Sequence, residues 1–281
     1  MTEKYHNIIN NFIVWGSSAD HLYAALAVGS QIRKIHPADE YSDLDIIMVV
    51  EDPNYYISND DWLNEIDSFF ISFTQDTIDD EKERRVLFNN AADVDFVLLP
   101  EYRLDALLNN SETSKLLNSG FEMLIDKIGL FKRIEAPSSK EHPHRFYPET
   151  DFVNLVSDFW YHTVWTAKKL KRGEIWSALS CLDCYMKQKL LSVIETYGKA
   201  FHGEAYNTWH NGRFIEEWAE EWIVERLYSC FSHYTYEDLK SALFCTMSLF
   251  RDISLAISDK LCIDYPKQAD DYATSWVTSA L

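Results

Sequence analysis

The stretch "VGSQIRKIHPADEYSDLDIIMVV", residues 28–50, decides the fold. Its last part, "LDIIMVV" (44–50), is strand-length, apolar and bounded by polar residues. Two aspartates, Asp43 and Asp45, stand at its head. In a strand, residues i and i+2 point to the same face, roughly 7 Å apart, so both carboxylates converge where a buried strand begins. Two facing carboxylates repel, and apolar surroundings make that worse. A divalent cation removes the conflict. Oxygen donors of this kind suit Mg²⁺, which fills its remaining positions with phosphate and water. Taken alone, the pair reads more readily as two solvated turn aspartates, since such pairs are common.

Working outward, Gly29-Ser30 follows the apolar run "LYAALAV" (22–28), a strand candidate whose alanines also suit a helix. A glycine there lets the backbone approach a phosphate closely, and N–H groups with a serine hydroxyl can bind it. A second Gly-Ser, Gly16-Ser17, has no carboxylates at similar spacing, so such a pair carries weight only in combination. "AADVDFVLLP" (91–100) adds Asp95 on another strand-like run, with Asp93 two residues earlier. "FEMLIDKIGLFKRI" (121–134) reads as a third strand and its exit, and "NDDWLNEIDSFFISF" (59–73) as a capped helix. Gly-Ser, D-x-D on a following strand and one Asp on a later strand together form a nucleotidyltransferase arrangement.

Residues 136–149, "APSSKEHPHRFYPE", hold three prolines among polar residues and read as a linker. They place a first domain at 1–136, a linker at 137–148 and a second domain at 149–281. Beyond them the period changes. Leu239, Ala242, Leu243, Thr246, Leu249, Phe250, Ile253, Ala256, Ile257 and Leu261 recur at three and four, the face of a long amphipathic helix. Ala178, Leu182, Tyr185, Met186, Val193 and Tyr197 behave similarly, and 151–172 and 213–231 read as further helices. The expected class is α+β: a mixed sheet with flanking helices, then an α-helical bundle.

The 281 residues are 47% hydrophobic, enough for a sizeable core. A net charge of −19 repels phosphate backbones, so no nucleic-acid partner is expected. It would attract a small cation, or serve solubility alone. No run of eighteen apolar residues exists, and the start "MTEKYHNIINNFIVWG" lacks a basic region before an apolar one, so neither membrane span nor secretory signal is expected. Five scattered cysteines suit a reducing cytoplasm. Cys181 and Cys184 form one C-x-x-C, read as buried thiols on a helix face rather than a zinc or redox site.

These residues resemble the aminoglycoside 6-adenylyltransferases, the streptomycin-modifying family within the polymerase-beta-like nucleotidyltransferases. Gly29-Ser30, the spacing to Asp43-Leu44-Asp45, "VDFVLLP" and "MLIDKIG" (123–129) stand in the family's order. "SDFWYHTVWTAKKLKRGEI" and "YTYEDLKSALFCTMSLFRDISLAISDKLCIDYP" resemble its later helices. There are departures. Gln31 stands where the family has Arg, "SFTQD" replaces a Gln-x-Pro segment, Asp158 replaces Glu, and Gly212-Arg213 replaces Gly-Lys.

The resemblance implies a cytoplasmic enzyme that moves AMP from ATP to a hydroxyl of a small cationic acceptor such as streptomycin. Gly29 and Ser30 would take the triphosphate, Arg213 a phosphate, and Asp43, Asp45 and Asp95 the Mg²⁺, with Asp95 a third ligand or the proton acceptor. Asp158 and Asp183 each interrupt an apolar stretch ("SDFWY", "CLDCY") and would face the acceptor's cations; helix capping and a buried hydrogen bond are their plainer readings. Trp160 reads as core. Two other classes compete: transfer to another metabolite or a protein hydroxyl, and a nucleotide-binding homologue without turnover. Three intact carboxylates favour the enzyme.

Overall fold

The computed structural model describes residues 1–33, 36–77, 81–134 and 149–281. The linker expected at 137–148 lies outside the described residues. The chain divides into two compact units, Met1–His142 and Pro143–Leu281.

The first unit is built on six strands: β1 (Leu22–Val28), β2 (Leu44–Val50), β3 (Phe69–Asp76), β4 (Lys82–Phe88), β5 (Ala92–Pro100) and β6 (Glu122–Asp126). Their order is β3-β4-β5-β2-β1-β6. All neighbours are antiparallel except β2 and β5, which run parallel. The sheet is therefore mixed. Helices of this unit are α1 (His6–Ser18), α2 (Pro53–Ile57), α3 (Asp61–Asn64), α4 (Leu104–Leu108), α5 (Ser111–Asn118) and α6 (Leu130–Ile134). Side chains alternate along each strand, so the sheet has two faces. Leu44, Ile46, Met48, Val94 and Phe96 face a core with Tyr5, Phe12, Tyr56 and Trp62 from α1, α2 and their neighbours. Ala24, Leu26, Val28, Val49 and Leu99 face a smaller one with Leu104 and Leu130. The central strands are apolar on both faces because both are covered.

One expectation changes here. The helix expected over 59–73 is only α3, after which the chain becomes edge strand β3. Trp62 in α3 is buried and its Nε1 donates to the Tyr56 carbonyl, 3.1 Å away, which ties α3 to α2. The second Gly-Ser lies inside α1, where a Cβ on Gly16 would fall 2.4 Å from Ile125, so that glycine admits close packing.

The second unit is helical: α7 (Glu149–Lys171), α8 (Ile175–Ser180), α9 (Lys187–His202), α10 (Ile215–Trp218), α11 (Glu221–Leu227), α12 (Tyr236–Leu261) and α13 (Lys267–Ala280). Glu149 and Asp151 open α7 and three lysines close it, complementing the helix dipole. Thr235 caps α12 by accepting the Asp238 N–H, a contact worth about 1 kcal/mol. By length and composition α12 could cross a membrane, yet half of its apolar window is packed inside the unit. Phe159 and Phe250 stack at 3.6 Å between α7 and α12. Trp160 is buried core.

The stripe read from Ala178 to Tyr197 is two helices joined by a π-type turn, Cys181–Met186. Cys181 is buried there, but Cys184 is exposed, so the C-x-x-C does not put two thiols in the core. The helix expected over 213–231 breaks at Ala219 and Glu220, whose backbones are extended. Trp218 causes this: its Nε1 donates to the Arg213 carbonyl and its own carbonyl accepts from Tyr206 Oη.

Candidate active site

The parallel pair β2–β5 aligns Asp45 with Asp95, and the antiparallel pair β1–β2 aligns Asp45 with Val28, the residue before Gly29. Asp43 lies just ahead of β2. One carboxylate oxygen from each of Asp43, Asp45 and Asp95 lies within 4.8 Å of the others. The three aspartates named from the sequence thus meet at one point.

The Gly29-Ser30 turn is built against them. Gly29 has φ +73°, a left-handed conformation that only glycine takes without strain. A Cβ there would sit 2.2 Å from Asp45 Oδ2. The glycine therefore serves two ends, turning the chain and admitting the carboxylate. Ser30 Oγ lies 3.2 Å from the Asp43 carbonyl and 3.4 Å from its Oδ1, within reach to donate to either. Gln31 holds the turn from behind: Nε2 donates to the Asp43 carbonyl at 3.1 Å, and Oε1 accepts the Thr2 N–H at 2.9 Å. A glutamine at this position thus stitches the start of the chain to the head of β2.

Asp95 is buried, and its Oδ2 accepts from Arg85 Nη2 on β4. Its Oδ1 is also buried, and has no hydrogen-bond partner among the described residues. Burial pushes this carboxyl up to about 6, against the lowering effect of the Arg85 hydrogen bond. A buried oxygen without a partner, in a set of three carboxylates, is the donor chemistry that a hard divalent cation satisfies.

Sequence reasoning missed two supporting residues. Arg85 sits directly across from Asp95, in a charged strand that offered no apolar run. Burial alternates along this strand, but in the sequence the charges of Glu83, Arg84 and Arg85 hide that pattern. Tyr5 is fully buried and donates to the carbonyls of Ser42 (2.8 Å) and Asp93 (3.0 Å), which braces the leads into both aspartate-bearing strands. Burial away from water raises its phenol well above the ordinary range.

The other expected site residues belong to the second unit. Arg213 ends a short 3₁₀ turn, His210–Gly212, ahead of α10. Asp158 on α7 is engaged by Lys189 Nζ (2.8 Å), Tyr185 Oη (2.8 Å) and His162 Nδ1 (2.7 Å). Burial raises its carboxyl, but the Lys189 and Tyr185 hydrogen bonds outweigh this and hold it below the ordinary value. Asp183, in the π-type turn, lies 3.5 Å from Lys187 Nζ. Lys187 is itself nearly buried, and the loss of water lowers its ammonium despite Asp183. Neither aspartate is a helix cap.

Comparison with known proteins bears on this geometry. The family described as streptomycin adenylyltransferase matches residues 2–280. An aminoglycoside 6-adenylyltransferase of Campylobacter jejuni is 23% identical over 244 residues, covering 85% of this chain and 82% of its own. One from Bacillus subtilis is 23% identical over 246 residues, covering 85% and 84%. A crystal structure of an aminoglycoside 6-adenyltransferase from Bacillus subtilis aligns over 98% of this chain and 96% of its own, at 19% identity and a TM-score of 0.47.

Proposed function

Since the chain belongs to the streptomycin adenylyltransferase family, and so to the nucleotidyltransferases, we propose that it transfers AMP from ATP to a hydroxyl of an aminoglycoside such as streptomycin. Pyrophosphate is the second product. The observation that carries this is the meeting of Asp43, Asp45 and Asp95 within 4.8 Å, beside a left-handed glycine turn whose Cβ would meet Asp45.

Asp43, Asp45 and Asp95 would hold a Mg²⁺ ion, which would supply positive charge against the phosphates. Gly29 and Ser30 receive the triphosphate, the serine through its hydroxyl and the glycine by leaving room. The acceptor oxygen bonds to the α-phosphorus, and the bond to the bridging oxygen breaks with its electron pair leaving on pyrophosphate. Asp95 serves as third ligand or takes the hydroxyl proton. Its carboxyl at about 6 suits the second task, because a base is most effective near the working pH.

In the second domain, 149–281, Arg213 supplies a cation for a phosphate, and Asp158 and Asp183 supply anions for the acceptor's ammonium groups. Each aspartate already holds a lysine, which an acceptor cation would displace. Five free cysteines fit a reducing cytoplasm. The test is pyrophosphate release from Mg-ATP across an aminoglycoside panel, with Asp45→Asn as control. Release that needs one aminoglycoside and vanishes in the variant supports the proposal. Release with none of them, while ATP still binds, moves the acceptor to another metabolite or a protein hydroxyl, or leaves a binding protein.

A further inference from the structure

Beyond Asp95 the sheet continues for two strands, and its carboxylate-bearing face carries exposed apolar groups there. Register sets Phe73 beside Arg85, Arg85 beside Asp95 and Asp95 beside Asp45. In the adjoining row Ile71, Leu87 and Asp93 align likewise. Alternation puts both rows on the face of the carboxylates. Ile71 is 56% exposed and Phe73 49%, and Asp93 is exposed beside them. With strands about 4.8 Å apart, Phe73 stands about 10 Å from Asp95, within the span of a molecule of a few linked rings.

In-line displacement decides what belongs there. On the adenylyl-transfer reading the pyrophosphate leaves over Gly29-Ser30, at the end of β1, on one side of the carboxylates. The attacking hydroxyl must then arrive from the opposite side, which is the side of β5, β4 and β3. Charge agrees with this. Arg85 is taken up by Asp95 and lies 3.8 Å from Glu83, so with Asp93 the surface between the cluster and β3 is net negative. Phe73 offers an aromatic face, which receives both saturated ring surfaces and cations.

We propose that the acceptor, a cationic molecule of saturated rings, lies across these two rows, with a ring face on Phe73 and Ile71 and an ammonium toward Asp93. This binding surface on the first unit rests on the adenylyl-transfer reading above. It makes the β3–β4 hairpin a specificity element rather than a mere sheet edge.

The test is steady-state kinetics on the full chain, with streptomycin first and then any aminoglycoside that turns over, alongside equilibrium ATP binding. Phe73→Ala should raise the acceptor KM about threefold to tenfold, the worth of one aromatic contact, and leave ATP affinity unchanged. Phe73→Tyr should restore most of the loss. Ile71→Ser and Asp93→Asn should move the acceptor KM in the same direction, again without touching ATP. An acceptor KM unmoved in Phe73→Ala and Ile71→Ser, with wild-type turnover intact, overturns the surface while leaving the transferase standing. A change in oligomeric mass with that KM unmoved assigns the edge to a second copy and overturns it equally. Wild-type silence with every aminoglycoside overturns the adenylyl-transfer reading, and the surface with it.

Discussion

Each unit buries one aspartate against one arginine, and the two pairs could hardly be treated more differently. In the second unit Asp270 accepts from Arg251 Nε (2.7 Å), Tyr265 Oη (2.8 Å) and Thr274 Oγ1 (2.9 Å), so both of its oxygens are engaged. Burial raises its carboxyl, but hydrogen bonds from Arg251, Tyr265 and Thr274 together bring it below the ordinary value. In the first unit Asp95 has Arg85 on one oxygen and, among the described residues, no hydrogen-bond partner on the other, and burial wins. A saturated carboxylate fastens α12 to α13. An unsaturated one, beside two more of its kind, is held ready for a ligand.

Asp95→Asn is the sharpest probe of that contrast. Turnover should fall about 10³-fold, measured as pyrophosphate release, because the cluster loses both charge and base. Stability should behave oppositely. A carboxyl raised to about 6 contributes stability that is fully present below its unfolded value and lost as pH rises through 6. At pH 8 the variant's thermal midpoint should therefore not drop; a drop like that of Asp270→Asn breaks the comparison.

Asp270→Asn should cost about 3 kcal/mol in urea unfolding, the usual loss on breaking a buried pair. Its folded carboxyl is depressed, so its stabilisation is present above the unfolded value and lost as acid carries the pH through the folded one. Wild type should lose stability across that window, and the variant should lose less. Next in size, Gly29→Ala should cost about 1–2 kcal/mol through left-handed backbone alone. It should also weaken ATP binding, since the new methyl meets Asp45. Least of all, Lys267→Ala removes an exposed pair with Asp271 and should stay within about 0.5 kcal/mol.

How much of this could be read from residues alone follows from how locally each feature is encoded. Asp43, Asp45 and Gly29 lie within one short stretch, and β2 is apolar on both faces, so its type was plain. The helical second half followed from period alone, and the mixed sheet from the resemblance to the nucleotidyltransferases. The hairpin of β3 and β4 did not: it is an edge, half solvated, and its charges mask a period-two pattern until the register with β5 is known. Arg85 was hidden for the same reason. The break after Trp218 was hidden because it depends on side-chain hydrogen bonds to particular carbonyls. Propensity carries no record of such tertiary bonds.

The parallel register of β2 on β5 has a consequence in time as well as in space. Asp45 and Asp95 are fifty residues apart in the chain, and the whole excursion through β3 and β4 must be laid down before they can pair. Long-range strand pairing is slow, because loop closure precedes any contact that rewards it. On the ribosome, where chains grow at about 5–20 residues per second, Asp43 and Asp45 emerge seconds before their third partner. Until then they are two acidic residues at the head of a strand that has only β1 to pair with. Metal affinity should thus arrive late and all at once, which makes it a reporter of finished folding rather than of early collapse.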